Sequence, residues 1–175
     1  MASQLRVDKI LPVDGAPTGG GGGIIQVVHS STATLMQQTT IDTDYDTNLS
    51  ATITPKFNTS KILIMVSQMC SIRSTVAGTF AMQLSLVRTP SGGSSVIIID
   101  GDNGALAMGN FTGRANTPTS YNSMTAMQPL HILDEPATTT ALTYKTTALL
   151  TTSNSTMKLQ EDGVKSYMTL MEVSA

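Results

Sequence analysis

The stretch "TFAMQLSLVR", residues 79–88, sets Phe80, Met82, Leu84 and Leu86 on alternate positions, with Ala81, Gln83, Ser85 and Val87 between them. Successive side chains of a β-strand point to opposite faces, whereas a helix repeats every 3.6 residues. This spacing therefore gathers the large apolar groups on one face only if the backbone is extended. The same period recurs down the chain in "IIQVVHSST", "LSATITP", "SMTAMQPLHIL", "ALTYKTTALL", "STMKL" and "SYMTLMEVS". Two further runs, "KILIMVSQM" and "SVIIID", are nearly continuous in aliphatic residues, as expected of strands covered on both faces.

Turn chemistry falls between the runs: "TPSGGS", "DGDNG", "FTGRANTP", "LDEPATTT", "TTSNS" and "EDG". The spacing predicts roughly eight to ten strands in an all-β, antiparallel sandwich or jelly roll. No window of helical length carries an i, i+3, i+4 apolar stripe, and "MQQTTIDTDYD" reads as a long loop. Composition agrees with this class. Only 13% of residues are charged while Thr and Ser abound, which suits exposed strands and tight turns, and 11 methionines stand in for scarce aromatics as adaptable core filler.

Residues 1–23 follow a different logic. "SQLRVDKILPVDGAPTGGGGG" holds one short apolar cluster, Leu5, Val7, Ile10 and Leu11, and then Pro12, Pro17 and the run Gly19, Gly20, Gly21, Gly22 and Gly23. Such a segment has no core of its own and gains order by lying against something else. The domain reading is an extended anchoring arm and glycine linker over residues 1–23, then a β head over residues 24–175. A glycine-rich phosphate loop would need a strand before it, a helix after it, and in the P-loop a Gly-Lys-Ser/Thr ending. Here Ile24 and Ile25 follow directly and no lysine is present, so the run reads as a hinge.

The chemistry-bearing residues are thinly spread. Asp42, Asp44, Asp46 and Asn48 alternate like the first ligands of a calcium loop, but the sixth and twelfth positions are Thr47 and Ile53 where that loop needs Gly and Glu. An acidic, solvated loop is the reading, and no cofactor or metal is assigned. His29 and His131 lie within strand patterns, without a nucleophile elbow G-x-S-x-G anywhere in the chain. Cys70 ends an apolar run and reads as a buried small residue; a single cysteine excludes an internal disulfide and suits folding in a reducing cytosol. Glu135, Glu161 and Glu172 show no pairing of the kind a polysaccharide depolymerase requires. The expectation is therefore no enzyme and no catalytic residue. A net charge of −2 with dispersed Lys and Arg gives no footprint for nucleic acid. The apolar runs are too short for membrane insertion, and the first residues lack the apolar stretch of a secretory signal.

The opening "SQLRVDKILPVDGAPTGGGGGIIQVV", the middle "LSATITPKFNTSKILIMVSQ" and the ending "LDEPATTTALTYKT…STMKL…SYMTLMEV" resemble virion proteins of tailed bacteriophages, cyanobacterial and marine phages especially. The resemblance is one of style and segment order over nearly the whole chain. It implies a Thr/Ser-rich β-sandwich head behind an N-terminal attachment segment, as in capsid decoration (cement) proteins and in distal domains of tail fibres and tailspikes. It also implies a homotrimer and carries no catalytic residues.

Between these roles, a fibre needs a shaft with a visible period, and none is present. Five flexible glycines span only about 12 Å, which keeps the head close to its anchor. The expectation is a trimeric decoration protein on the outer capsid surface, assembled in the host cytoplasm, with Leu5, Val7, Ile10 and Leu11 docking on the major capsid protein or a neighbouring protomer. The alternatives are a short tail fibre or tail knob, anchored on a tail protein with a receptor-binding head, and a carbohydrate-binding module for a host cell-surface glycan. Sugar stacking would have to draw on Tyr45, Tyr121, Tyr144, Tyr167 and three phenylalanines.

Overall fold

A computed structural model describes residues 23–100, 110–115 and 122–174. The alternating runs become strands: β1 (Ile24–Thr32), β2 (Met36–Gln38), β3 (Asp44–Ile53), β4 (Lys61–Ser74), β5 (Gly78–Pro90), β6 (Val96–Ile99), β7 (Asn110–Ala115), β8 (Asn122–Asp134), β9 (Leu142–Leu150), β10 (Ser155–Leu159) and β11 (Ser166–Val173). The helical content of the described residues is one 3-10 turn, Glu161–Gly163, between β10 and β11.

The strands form two antiparallel sheets, and several short strands share one lane. In the first sheet β11 pairs with Lys61–Ser67 of β4, and β10 continues along the same edge against Cys70–Ser74. β1 and β2 follow in succession along the far edges of β11 and β10, while β8 lines the other edge of β4. In the second sheet β3 pairs with β9 and β9 with β5; the free edge of β5 takes β7 against Gly78–Gln83 and β6 against Leu86–Arg88.

Counting lanes in chain order (β1/β2, β3, β4, β5, β6/β7, β8, β9, β10/β11), the first sheet runs 1-8-3-6 and the second 2-7-4-5. Every connection from one lane to the next crosses between the sheets except that from β5 to β6. This is the jelly roll, the antiparallel sandwich expected from the period-two pattern.

Parity fixes the core. Ile62, Ile64, Val66 and Ile72 of β4 face Phe80, Met82, Leu84 and Leu86 of β5, joined by Leu49, Ile53, Leu130, Leu142, Tyr144, Leu150, Met168 and Leu170, all buried. Burial of side chains of this size contributes about 1.5–3 kcal/mol each.

A polar chain crosses this core. The Thr47 hydroxyl lies 2.5 Å from that of Thr146, Thr146 donates to Oε1 of Gln68 at 3.0 Å, and Nε2 of Gln68 donates to Ser166 Oγ at 3.0 Å. Gln160 completes it when its amide is turned so that its oxygen accepts from Gln68 and Ser166; its nitrogen then donates to the carbonyls of Thr34 (3.0 Å) and Leu159 (3.2 Å). The chain links β3 and β9 of one sheet to β4 and β11 of the other, and every link is satisfied, which keeps buried polar groups from destabilising the fold.

A second tie sits nearer one end. Nη1 of Arg88 on β5 donates to both carboxylate oxygens of Asp134 on β8 at 2.7 Å, and the Tyr144 hydroxyl donates to the same carboxylate at 2.7 Å.

Four expectations need correction. The stretch read as a long loop contains β2 and the start of β3, because Met36 is buried and β2 pairs with β10. "FTGRA", read as a turn, lies in β7: Gly113 leaves room for the Phe80 ring, which occupies the space a Cβ would take, and Phe111 enters the core. "SVIIID" is not covered on both faces, since Val96 and Ile97 are exposed at the sheet margin. "KILIMVSQM" is likewise covered on one face along its first half, with Met65 exposed.

Candidate functional site

The two outer faces of the sandwich differ in chemistry. On the second sheet the outward positions are Asp44, Asp46, Ser50 and Thr52 of β3, Thr143, Lys145 and Thr147 of β9, and Gln83 and Ser85 of β5. Thr52 and Thr143 exchange a hydrogen bond at 2.8 Å, and Lys145 reaches Asp46 at 3.1 Å. That face suits water. It holds a hollow of about 240 Å³ lined by Asp44, Gln83, Ser85 and Asp100 together with the apolar Ile97 and Leu149.

The outward face of the first sheet carries one wholly apolar row and exposed apolar side chains among polar ones in the rows beside it. The register places Val27 beside Met171, Met171 beside Leu63 and Leu63 beside Leu133, a row that spans all four lanes. The next row is His29, Thr169, Met65 and His131, and the next Ser31, Tyr167, Ser67 and Pro129. Met127 follows on β8 beside Met69. Val27 is 55% exposed, Leu133 48%, Met127 and Tyr167 41% and Met65 40%, so these side chains meet solvent where alternation normally places polar groups. The His29 ring stacks on Tyr167 with centroids 5.9 Å apart, and its Nδ1 lies 3.1 Å from the Thr169 hydroxyl.

Among the described residues, the Lys, Arg and Glu side chains of this face stand at its two ends. At one end Lys61 pairs with Glu135 at 2.6 Å. At the other, the buried Glu161 carboxylate accepts from Arg73 at 2.5 Å and Lys158 at 2.7 Å. Burial alone would raise the Glu161 carboxyl; hydrogen bonds from Lys158 and Ser71 and the charges of Arg73 and Lys158 together outweigh it and hold the group below the usual glutamate range.

The remaining sequence candidates separate. Glu172, fully buried on β11, accepts from Gln26 Nε2 at 2.6 Å and from the Lys56 amide at 2.7 Å, and so clamps the β3–β4 connection. Glu135, Glu161 and Glu172 thus serve three different contacts and share no groove. Asp46 accepts from the amide of Asn48, which takes a left-handed conformation at the irregularity between Asp46 and Ser50 in β3. Among the described residues no three His, Cys, Asp or Glu side chains gather as a metal site would require. Cys70 is buried in the core and burial pushes its thiol pKa far up. Tyr144 is buried against Asp134, whereas Tyr167 is exposed on the apolar face.

Leu5, Val7, Ile10, Leu11, Gly19, Gly20, Gly21, Gly22 and Tyr121 lie outside the described residues. Gly23 is within them: its N–H donates to Ser174 Oγ at 2.9 Å and its carbonyl accepts from the Ser174 amide at 3.0 Å, which ties the start of β1 to the end of β11. Sequence reading missed the first-sheet face as a site, although "KILIMVSQM" carried its signal.

No protein-family model and no curated protein matches the chain. Among solved structures it is similar to that of the infectious bursal disease virus Gt strain, with 12% identity, a TM-score of 0.37 and coverage of 97% of this chain and 44% of that one. It is also similar to that of the Gx strain of the same virus, with 10% identity, a TM-score of 0.36 and coverage of 99% and 44%. The chain spans less than half the length of these structures.

Proposed function

We propose that this chain is a non-enzymatic structural protein of a phage virion, a trimeric decoration protein held on the outer capsid surface by its N-terminal arm. The observation that carries the reading is the outer face of the first sheet, where an apolar row spans four lanes and Met65, Met127 and Tyr167 stand exposed beside it, with no Lys, Arg, Asp or Glu between the described ends. A surface of that kind marks a site of macromolecular association. The jelly roll supports the reading as an architecture used in viral shells, although fold alone does not assign a role. In this role the head adds buried area across capsomer junctions, and its binding stabilises the shell by mass action.

Deletion of residues 2–23 tests the anchoring step. The truncated head, which retains both sheets and the whole described core, is expected to fold and trimerise but to leave purified particles undecorated. A truncated head that decorates particles at wild-type occupancy refutes the role of the arm. Quantitative gels of purified virions test the location, since many copies per particle place the chain on the shell and a few place it on the tail.

A further inference from the structure

We propose that a second copy of this chain covers the outer face of the first sheet, and that the protomers of the assembly meet through it. This deepens the structural reading above and rests on it for the existence of an assembly.

The size of the face argues for a protein-sized occupant. Four lanes at about 4.8 Å and nine residues of β4 at about 3.3 Å give a patch of roughly 20 by 30 Å. That is about 600 Å² on the copy that presents the face; with an equal area on its neighbour, which in a ring of three contributes a different surface, the total of about 1,200 Å² lies at the lower edge of stable interfaces. The arm is too narrow to fill it, since a single extended segment covers one lane, about 5 Å wide, and offers Leu5, Val7, Ile10 and Leu11 only.

The charges argue for self-association over a partner of one sign. Lys61 is matched by Glu135 at one end, and at the other Arg73 and Lys158 share the carboxylate of Glu161 with one positive charge in excess, so neither end offers the cluster of one sign that would steer a strongly charged partner. Between them lie Val27, Leu63, Met65, Met127, Leu133 and Tyr167, interleaved with His29, Thr169, His131 and Ser67, a mixture of exposed Met, aliphatic and aromatic groups with polar ones that suits an interface between protein copies. The sequence agrees from the inside. β4 is aliphatic on both parities from Ile62 to Val66, yet only one parity faces the sandwich.

The test uses the full chain and two variants, Met65→Lys and Leu133→Lys, with mass read by light scattering and sedimentation over a dilution series. Both positions face solvent in a lone protomer, so each variant is expected to keep the wild-type far-ultraviolet dichroism while its dissociation constant rises at least about 30-fold. Ile97→Lys, at an equally exposed site on the second sheet, is expected to leave assembly unchanged. Peroxide footprinting of the unsubstituted chain gives a readout independent of variant folding. Met65 and Met127 are expected to oxidise slowly in the assembly and faster on dilution. A wild-type chain that is monomeric at high concentration, lysine variants that assemble with wild-type affinity, or a footprint insensitive to dilution would overturn the proposal. If the wild-type chain assembles and the lysine variants do too, this face is wrong while the virion reading stands. If the chain is absent from purified particles, the virion reading fails whatever the face does.

Discussion

Replacing Thr146 by Val removes one hydroxyl from the middle of the polar chain that crosses the core. In the native protein that hydroxyl donates to Gln68 Oε1 at 3.0 Å, and both residues are fully buried. Without it, Gln68 Oε1 has no donor, and an orphaned buried acceptor costs about 1–3 kcal/mol. The Thr47 hydroxyl suffers less, because it also donates to the Thr146 carbonyl at 3.1 Å and accepts from the Leu49 amide at 3.3 Å. The added methyl returns about 0.8 kcal/mol of burial at most. A net destabilisation of about 1–2 kcal/mol is expected, which lowers the melting midpoint of a chain this size by about 2–8 °C.

The assay is thermal unfolding at one fixed protein concentration, because association with further copies would shift the midpoint by itself. Adding Gln68→Leu removes the stranded acceptor. The double variant is therefore expected to be more stable than the sum of the two single losses, by about 1 kcal/mol. A Thr146→Val protein that melts at or above the wild-type temperature, or strict additivity in the cycle, would refute the argument that the chain is one satisfied unit.

Gly113→Ala pushes a Cβ into the Phe80 ring, and the displaced ring is expected to cost about 1–3 kcal/mol, read as a lower denaturant midpoint with faster hydrogen exchange in β5 and β7. Glu161 sets an acid limit. Its folded carboxyl titrates below the unfolded one, so its contribution is present above the unfolded pKa of about 4.3 and is lost as pH falls through the folded value. Wild-type stability, followed by denaturant titration from pH 6 to 3, is expected to fall more steeply than that of Glu161→Gln, which starts lower at pH 6 because Arg73 and Lys158 lose their counter-charge.

The strands were legible because parity survives burial. Phe80, Met82, Leu84 and Leu86 face the core as their spacing requires, and the turn at Pro90–Gly93 closes with Gly92 at a φ of 73° and the Gly93 amide on the Pro90 carbonyl. What was not legible depends on partners distant in sequence. β7 is a strand because Phe80, more than thirty residues earlier, needs the space above Gly113. β2 is a strand because β10 offers it an edge. The polar chain was hidden because Thr and Gln in strands resemble surface residues. Its signal was phase: Gln68 shares the inward parity of Ile62, Ile64 and Val66, and Thr146 that of Tyr144 and Ala148.

The same parity argument explains how a Thr/Ser-rich composition coexists with aliphatic runs. The hydroxyl-rich outer face is that of the second sheet, where Thr52 and Thr143 meet solvent and Thr147 and Ser85 lie nearly covered beneath their neighbours, all alternating with inward apolar residues. On the first sheet the outward positions of β1, β4, β8 and β11 carry Val27, Leu63, Met65, Met127, Leu133 and Met171. A jelly roll that folds and functions alone gains nothing from that second set, since the core is complete without it. Outward Thr or Lys at those six positions would keep the alternation and remove the edge-to-edge and face-to-face hazard of an exposed apolar sheet. Their concentration on the first sheet, against Val96 and Ile97 at the margin of the second, is the asymmetry expected if a second copy covers the first-sheet face, as proposed above.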